Sequence, residues 1–196
     1  MSSPLDKLIQ DLARLPGIGE KTATRLAFFV LRSPKAYAEG LSHTLKEVVN
    51  QIQFCSLCQN FTQADPCVIC SDPKRDQTCI VVVEGPQEMR NIEQGKNYKG
   101  LYHILHGALS PLDRIGPEDL KIKELMARLH SKEVAEIILA TNSNVEGEAT
   151  TLYLARLIKA LQIKVSRIAT GIPVGSDLEY LDTLTIQKAI DGRREI

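Results

Sequence analysis

The spacing of hydrophobic positions changes along the chain. Over residues 4–15, Leu5, Leu8, Ile9, Leu12 and Leu15 recur three and four apart, which predicts a short amphipathic helix. Leu15-Pro16-Gly17-Ile18-Gly19 breaks the pattern: proline fixes φ, and two glycines permit positive φ, so a tight turn is predicted there. A second helix follows over 20–31, with Ala23, Leu26, Ala27 and Val30 as its buried stripe. Ser33-Pro34 reads as an N-cap and an N1 proline. They open a third helix that carries Ala36, Leu41, Leu45, Val48, Val49 and Ile52 and is expected to pack against the first two. From residue 79 the period shortens. Cys79-Ile80-Val81-Val82-Val83 is a continuous, largely β-branched run, the pattern of a strand buried on both faces. Further strands over 101–105, 135–141 and 164–169 alternate with helices over 86–94, 117–130 and 146–161. The alternation predicts a mostly parallel sheet flanked by helices, with functional groups gathered at the carboxyl ends of its strands. Residues 182–191 read as a last amphipathic helix carrying Leu184, Ile186 and Ile190, ended by Gly192, with Arg193 and Arg194 suiting its C-terminus.

Between the helical and sheet-forming parts stand Cys55-Ser56-Leu57-Cys58 and Cys67-Val68-Ile69-Cys70. Two such pairs, eight residues apart, let four thiolates converge on one tetrahedral ion, for which zinc is the best fit. Disulfides and a redox pair are the alternatives. A redox motif does not come doubled, and no secretory signal is visible to suggest a compartment where disulfides persist. Four thiolates close the coordination shell, so the zinc is expected to be structural. The fifth cysteine, Cys79, opens the first long strand and reads as a small buried core residue.

Composition narrows the partners. The 196 residues are 43% apolar, without tryptophan, and carry 24 basic and 24 acidic side chains for a formal net charge of zero. A zero balance excludes a wholesale polyanion binder, so nucleic-acid contact must come from local basic clustering. No apolar run approaches the ~18 residues of a membrane span, and a cytoplasmic protein is expected. The turn at 16–19 supplies the local feature. Helix, glycine hairpin and helix together form a helix-hairpin-helix pattern, in which backbone N–H groups at Gly17 and Gly19, beside a helix N-terminus, suit a phosphate. Lys21, Arg25 and Arg32 line another face of the second helix, where a DNA backbone would relieve their mutual repulsion; a plain solvated face is the alternative. Gly17-Ile18-Gly19-Glu20-Lys21-Thr22 is not a P-loop, because Glu20 separates glycine from lysine and the segment follows a helix.

On these residues the chain resembles the RecR family of bacterial recombination mediators over its full length. Residues 15–31 are similar to the family's helix-hairpin-helix, 55–70 to its zinc module and 79–169 to its Toprim domain. Thr170-Gly171-Ile172-Pro173-Val174-Gly175-Ser176-Asp177 and the residues after it resemble the family's C-terminal signature. The fold class is then a multi-module α/β chain, divided as 1–53 helix-hairpin-helix, 54–76 four-cysteine zinc module, 77–170 Toprim domain and 171–196 oligomerisation tail. The resemblance implies a ring-like homotetramer that clamps DNA without sequence preference. With RecO and RecF it would load RecA onto gapped DNA coated with single-strand-binding protein, placing it at the nucleoid.

Whether the Toprim part is an enzyme turns on a few residues. Catalytic Toprim sites pair a Glu after the first strand with an Asp-x-Asp after a later one to hold magnesium. Glu84 is present, but Thr141-Asn142-Ser143-Asn144-Val145-Glu146-Gly147-Glu148 has asparagines in place of both aspartates. Two neutral amides remove two charges that magnesium requires, which points away from catalysis. Glu84, Glu146 and Glu148 then form either an acidic rim for a basic partner or ordinary carboxylates favoured by a helix N-terminus. A magnesium-dependent nuclease or topoisomerase-like enzyme is the competing function class, and a zinc-stabilised adaptor for protein alone is a third. Neither Tyr153 nor Tyr180 has the local context of a strand-passing nucleophile. His103 and His106 are expected to pack or hydrogen-bond separately and not to share a metal.

Overall fold

The structure, a computed structural model, describes residues 3–131 and 133–193. Arg194, expected beyond the last helix, lies outside the described residues. The chain divides into two compact units, Met1–Ile52 and Gln53–Ile196.

The first unit is helical. α1 (Pro4–Ala13) starts at a reciprocal cap: Ser3 Oγ accepts from Asp6 N at 3.1 Å, and the Asp6 carboxylate accepts from Ser3 N at 2.9 Å. α2 (Glu20–Arg32) packs against α1 through Ala23 and Ala27, both fully buried, whereas Leu26 is exposed. α3 (Lys35–Gln51) departs from expectation twice. Ser33 does not cap it. Its hydroxyl donates back to Phe29 O at 2.8 Å, closing the end of α2, and Pro34 takes the N-cap position. Nor does α3 pack along α1 and α2. It meets α2 at its first turn, where the Phe29 and Tyr37 rings lie edge to face at 5.6 Å, and every residue from Leu41 to Asn50 is exposed.

The second unit opens with a two-stranded antiparallel ladder, β1 (Gln53–Phe54) with β2 (Phe61–Thr62). Its main sheet contains β3 (Cys79–Val83), β4 (Leu101–Ile104), β5 (Glu136–Ala140) and β6 (Lys164–Arg167), in the order β4-β3-β5-β6 and parallel throughout. One face buries Ile80, Val82, Ile137 and Leu139 beneath α5 (Ile122–Ser131) and α6 (Val145–Lys159). The other buries Val81, Val83 and Tyr102 beneath Met89 of α4 (Pro86–Gln94). Coverage on both faces explains why the strands read as continuous apolar runs. Residues 117–121 are turn and not the expected start of α5. Lys121 N donates to Leu105 O at 3.0 Å and Lys121 O lies 2.7 Å from His103 Nε2, so the end of β4 holds this segment out of the helix. Cys79 is only half-buried, because it begins its strand at the sheet margin, and burial raises its thiol pKa. A single-turn 3-10 segment (Leu178–Tyr180) and α7 (Thr183–Asp191) end the described chain; α7 is capped where Asp182 Oδ1 accepts from Thr185 N at 2.9 Å.

Candidate nucleic-acid interface and metal centre

The four cysteines converge. Their sulfurs lie within 4.8 Å of one another and all four residues are buried. Tetrahedral zinc, with Zn–S of about 2.3 Å, needs sulfurs about 3.8 Å apart, so the cluster fits it with little adjustment. The backbone N–H of Cys67 donates to Cys55 Sγ at 3.4 Å, and those of Ile69 and Cys70 point to Cys67 Sγ, as suits thiolates. Cys58 Sγ and Cys67 Sγ lie 3.6 Å apart, close enough to share a proton, so that the bond between them favours one thiolate beside one thiol. A dication displaces the thiol protons and takes four thiolates. The site therefore holds one structural zinc.

Three consecutive carbonyls of the first cysteine turn are gripped by the sheet-forming part. Leu57 O accepts from Arg128 Nη1 at 3.1 Å, Cys58 O accepts from Ile104 N at 2.9 Å, and Gln59 O lies 2.6 Å from His106 Nε2. Arg128 Nη1 also donates to Tyr102 O at 2.6 Å. The metal thus fixes a loop whose outer surface is bonded to β4 and α5. His103 and His106 act separately, as expected. His103 is fully buried, and desolvation lowers it to about 4 even though the Lys121 carbonyl bonds to its ring.

In the helical unit, Ile18 N donates to Leu15 O at 3.0 Å across Pro16 and Gly17, with Gly17 at φ 77°. This is a type II turn, and its third position demands glycine. Gly19 differs from expectation. Its φ is −80°, and a Cβ added there would meet nothing within 4 Å. Backbone geometry and packing therefore leave it unexplained; its effect is to keep the start of α2 open to an approaching group. Gly19 is the N-cap of α2 and offers no side-chain cap, so the first N–H groups of the helix project uncapped. Lys21 and Arg25 are exposed one turn apart and make no ion pair among the described residues. Glu20 is the one carboxylate in this first turn.

At the carboxyl edge of the sheet, the asparagines have work of their own. Glu84 Oε1 accepts from Asn142 N at 2.7 Å, and Oε2 accepts from Asn142 Nδ2 at 2.5 Å. Asn144 caps α6, its Oδ1 accepting from Gly147 N at 2.9 Å. Gly147 allows this closeness, since a Cβ there would strike Asn142 O and Glu84 Oε1. Glu148 turns to Arg167 at 2.6 Å, and Glu146 stands half-buried in the first turn of α6. Glu84 and the start of α6 are thus brought together, while Glu148 is drawn toward β6.

Family models match the chain in four successive segments: the RecR helix-hairpin-helix over 5–49, the RecR four-cysteine zinc finger domain over 52–72, the Toprim domain over 78–169 and the RecR C-terminal segment over 171–194. The recombination protein RecR of Moorella thermoacetica is 54% identical over 193 residues, covering 98% of this chain and 97% of its own. The chain belongs to the RecR family. Among other RecR proteins, that of an Anaeromyxobacter species is 52% identical over 196 residues (100% of this chain, 99% of its own). That of Tropheryma whipplei strain TW08/27 is 51% identical over 189 residues (96% of each). This chain's helix-hairpin-helix, four-cysteine zinc finger, Toprim and C-terminal segments are thus those of the RecR recombination proteins it resembles.

Sequence reasoning missed three features of this RecR chain. One is the Asn142 bridge, which spans 58 positions. Another is Arg128, whose grip on Leu57 is equally long-range. The third is a stacked pair of rings, Phe54 and Phe61, flanking the first cysteine turn. Only the last left a trace, as the two phenylalanines on either side of Cys55 and Cys58.

Proposed function

We propose that this RecR chain is a non-enzymatic DNA-binding mediator of recombinational repair, acting in the cytoplasm at the nucleoid. As a clamp it works with RecO and RecF to help load RecA onto gapped DNA coated with single-strand-binding protein. The observation that carries the non-enzymatic reading is the bond pair between Glu84 and Asn142. Both oxygens of the carboxylate that a Toprim metal would require are taken by protein N–H groups, and Asn144 spends its oxygen on the α6 cap. DNA backbone binding falls to the uncapped start of α2, with Gly17, Gly19, Lys21 and Arg25. Glu84, Glu146 and Glu148 form the edge that a basic partner surface such as that of RecO meets. The exposed apolar faces of α3 and of the tail support assembly into a homotetramer.

Supercoiled or gapped DNA incubated with the protein and magnesium or manganese should be neither nicked, relaxed nor extended. Magnesium-dependent cleavage that disappears in Glu84→Ala would replace this reading by a nuclease. Glu146→Ala should leave DNA binding intact and weaken association with RecO. Mass in solution should be that of four chains, and Val49→Glu on the exposed face of α3 should lower it.

A further inference from the structure

The β1–β2 ladder sets Phe54 opposite Phe61, and the rings stack with centroids 5.1 Å apart and planes at 26°. Stacked phenylalanines ordinarily lie inside a core, yet here Phe54 is 45% and Phe61 52% exposed. The pair is held rigidly. His106 presses edge-on against both rings, at 4.8 and 5.5 Å, and is itself fixed by Gln59 O. Cys55 N donates to Asn60 O at 2.7 Å, so the ladder is closed by the same cysteine turn that binds zinc.

Charge beside the rings selects the occupant. Lys121 Nζ lies 5.5 Å from the centroid of Phe54. Phe61 forms one wall of a cavity of about 580 Å³, lined also by Val68, Met89 and Arg90. Arg90 is exposed and has no hydrogen bond or ion pair among the described residues. Arg75 and Glu93 in the same lining neutralise one another at 2.6 Å; Asp72 accepts from the Lys74 backbone N–H at 2.9 Å and keeps its charge, so Arg90 is the lining's one unpaired cation among the described residues. Lys121 is paired with Glu124 at 3.2 Å, a part-exposed contact that a phosphate can replace. A cation thus stands by Phe54, and another lines the cavity that Phe61 walls. Flat apolar faces interleaved with cations match alternating bases and phosphates, and stacking of this kind is indifferent to sequence.

We propose that the stacked Phe54–Phe61 pair, with Lys121 by Phe54 and Arg90 in the cavity that Phe61 walls, is a platform on which bases of single-stranded nucleic acid stack. This rests on the DNA-binding reading above and deepens it: the glycine hairpin meets phosphate backbone, and the zinc-fixed ladder meets unpaired bases. Zinc then has a task besides stability, which is to hold the two rings in register.

The chain contains no tryptophan, so Phe61→Trp supplies a unique fluorophore at the platform. Its emission should be quenched by oligothymidylate but not by an abasic strand of equal length or by a blunt duplex. Phe61→Leu should weaken oligothymidylate binding by about fivefold or more while duplex affinity, zinc content and solution mass stay unchanged. Equal effects on the abasic strand, or the absence of quenching by oligothymidylate, would overturn the proposal. So would a fall in mass for Phe61→Leu, which would assign the rings to a contact between copies. The double variant Lys21→Ala, Arg25→Ala separates the two readings. If it leaves duplex binding intact, the hairpin assignment fails while base-dependent quenching stands; if duplex binding falls but quenching is never seen, the platform alone fails.

Discussion

Replacing Asn142 by aspartate tests the idea that an amide has taken the place of a cation beside Glu84. The Nδ2 group donates to Glu84 Oε2 at 2.5 Å. Asn142→Asp removes that donor and puts a second carboxylate in its place. Asn142 is exposed, so the repulsion is taken at a dielectric near that of water: about 1.5–2 kcal/mol for unit charges at this separation. Loss of the hydrogen bond adds about 1 kcal/mol. The variant should be less stable by about 2–3 kcal/mol in magnesium-free, low-salt buffer, a drop in melting temperature of roughly 5–10 °C. Magnesium should then restore stability to the variant by sitting between the two carboxylates, returning about 1.4 kcal/mol at tenfold above its dissociation constant. The parent chain, whose Glu84 already has both oxygens bonded, should show no magnesium-dependent shift. Thermal melts of both proteins over a magnesium titration decide the matter. A parent chain stabilised as strongly as the variant, or a variant that loses nothing without magnesium, would refute the argument.

Three further outcomes follow from the geometry. Lys21→Ala with Arg25→Ala should weaken DNA binding without changing sequence preference and make the slope of log K against log salt shallower by about 0.9 per lost phosphate contact; unchanged slopes would reject the assignment. Cys58→Ser or Cys67→Ser should abolish bound zinc and expose the second unit to proteolysis, whereas Cys79→Ser should retain a full equivalent by metal analysis. His103, held near 4 by burial against about 6.5 when unfolded, binds fewer protons in the native state, so its contribution is complete above pH 6.5 and is lost as pH falls toward 4. Between pH 7 and 5 the loss is about 2 kcal/mol, and denaturant unfolding in excess zinc should show it as a steeper pH dependence than in His103→Gln.

Features encoded within a few residues are legible in the sequence. The four cysteines, the type II turn at Gly17 and the strand Cys79–Val83 each follow from local spacing or from burial on both faces. Expectation and structure part where a neighbour outside the window competes. Ser33 has the chemistry of an N-cap, but its hydroxyl is taken by the carbonyl of Phe29 in the helix behind it. Residues 117–121 have helical composition, yet the carbonyl of Leu105 claims the N–H of Lys121. Gly19 invites a reading from its permitted dihedrals, although its backbone is one that any residue adopts. Phe54 and Phe61 belong to strands two residues long, too short for any period, and what pairs them is the closure of the cysteine turn.

The exposed apolar surface is what the proposed homotetramer would cover. Leu45, Val48 and Val49 on α3 are 61, 52 and 81% exposed, and in the tail Val174, Leu178, Tyr180 and Leu184 are at least 60% exposed. These surfaces belong to opposite ends of the chain. Apolar faces of this kind, rich in residues that are usually buried, mark contacts between proteins. A single self-complementary face would stop at a dimer. In the proposed homotetramer, two separate faces, each pairing with its own kind about its own two-fold axis, join dimers to one another, and the assembly closes at four chains when the axes are perpendicular and intersect. The proposed clamp would use that closure, since two axes that do not meet would leave faces open to continued addition.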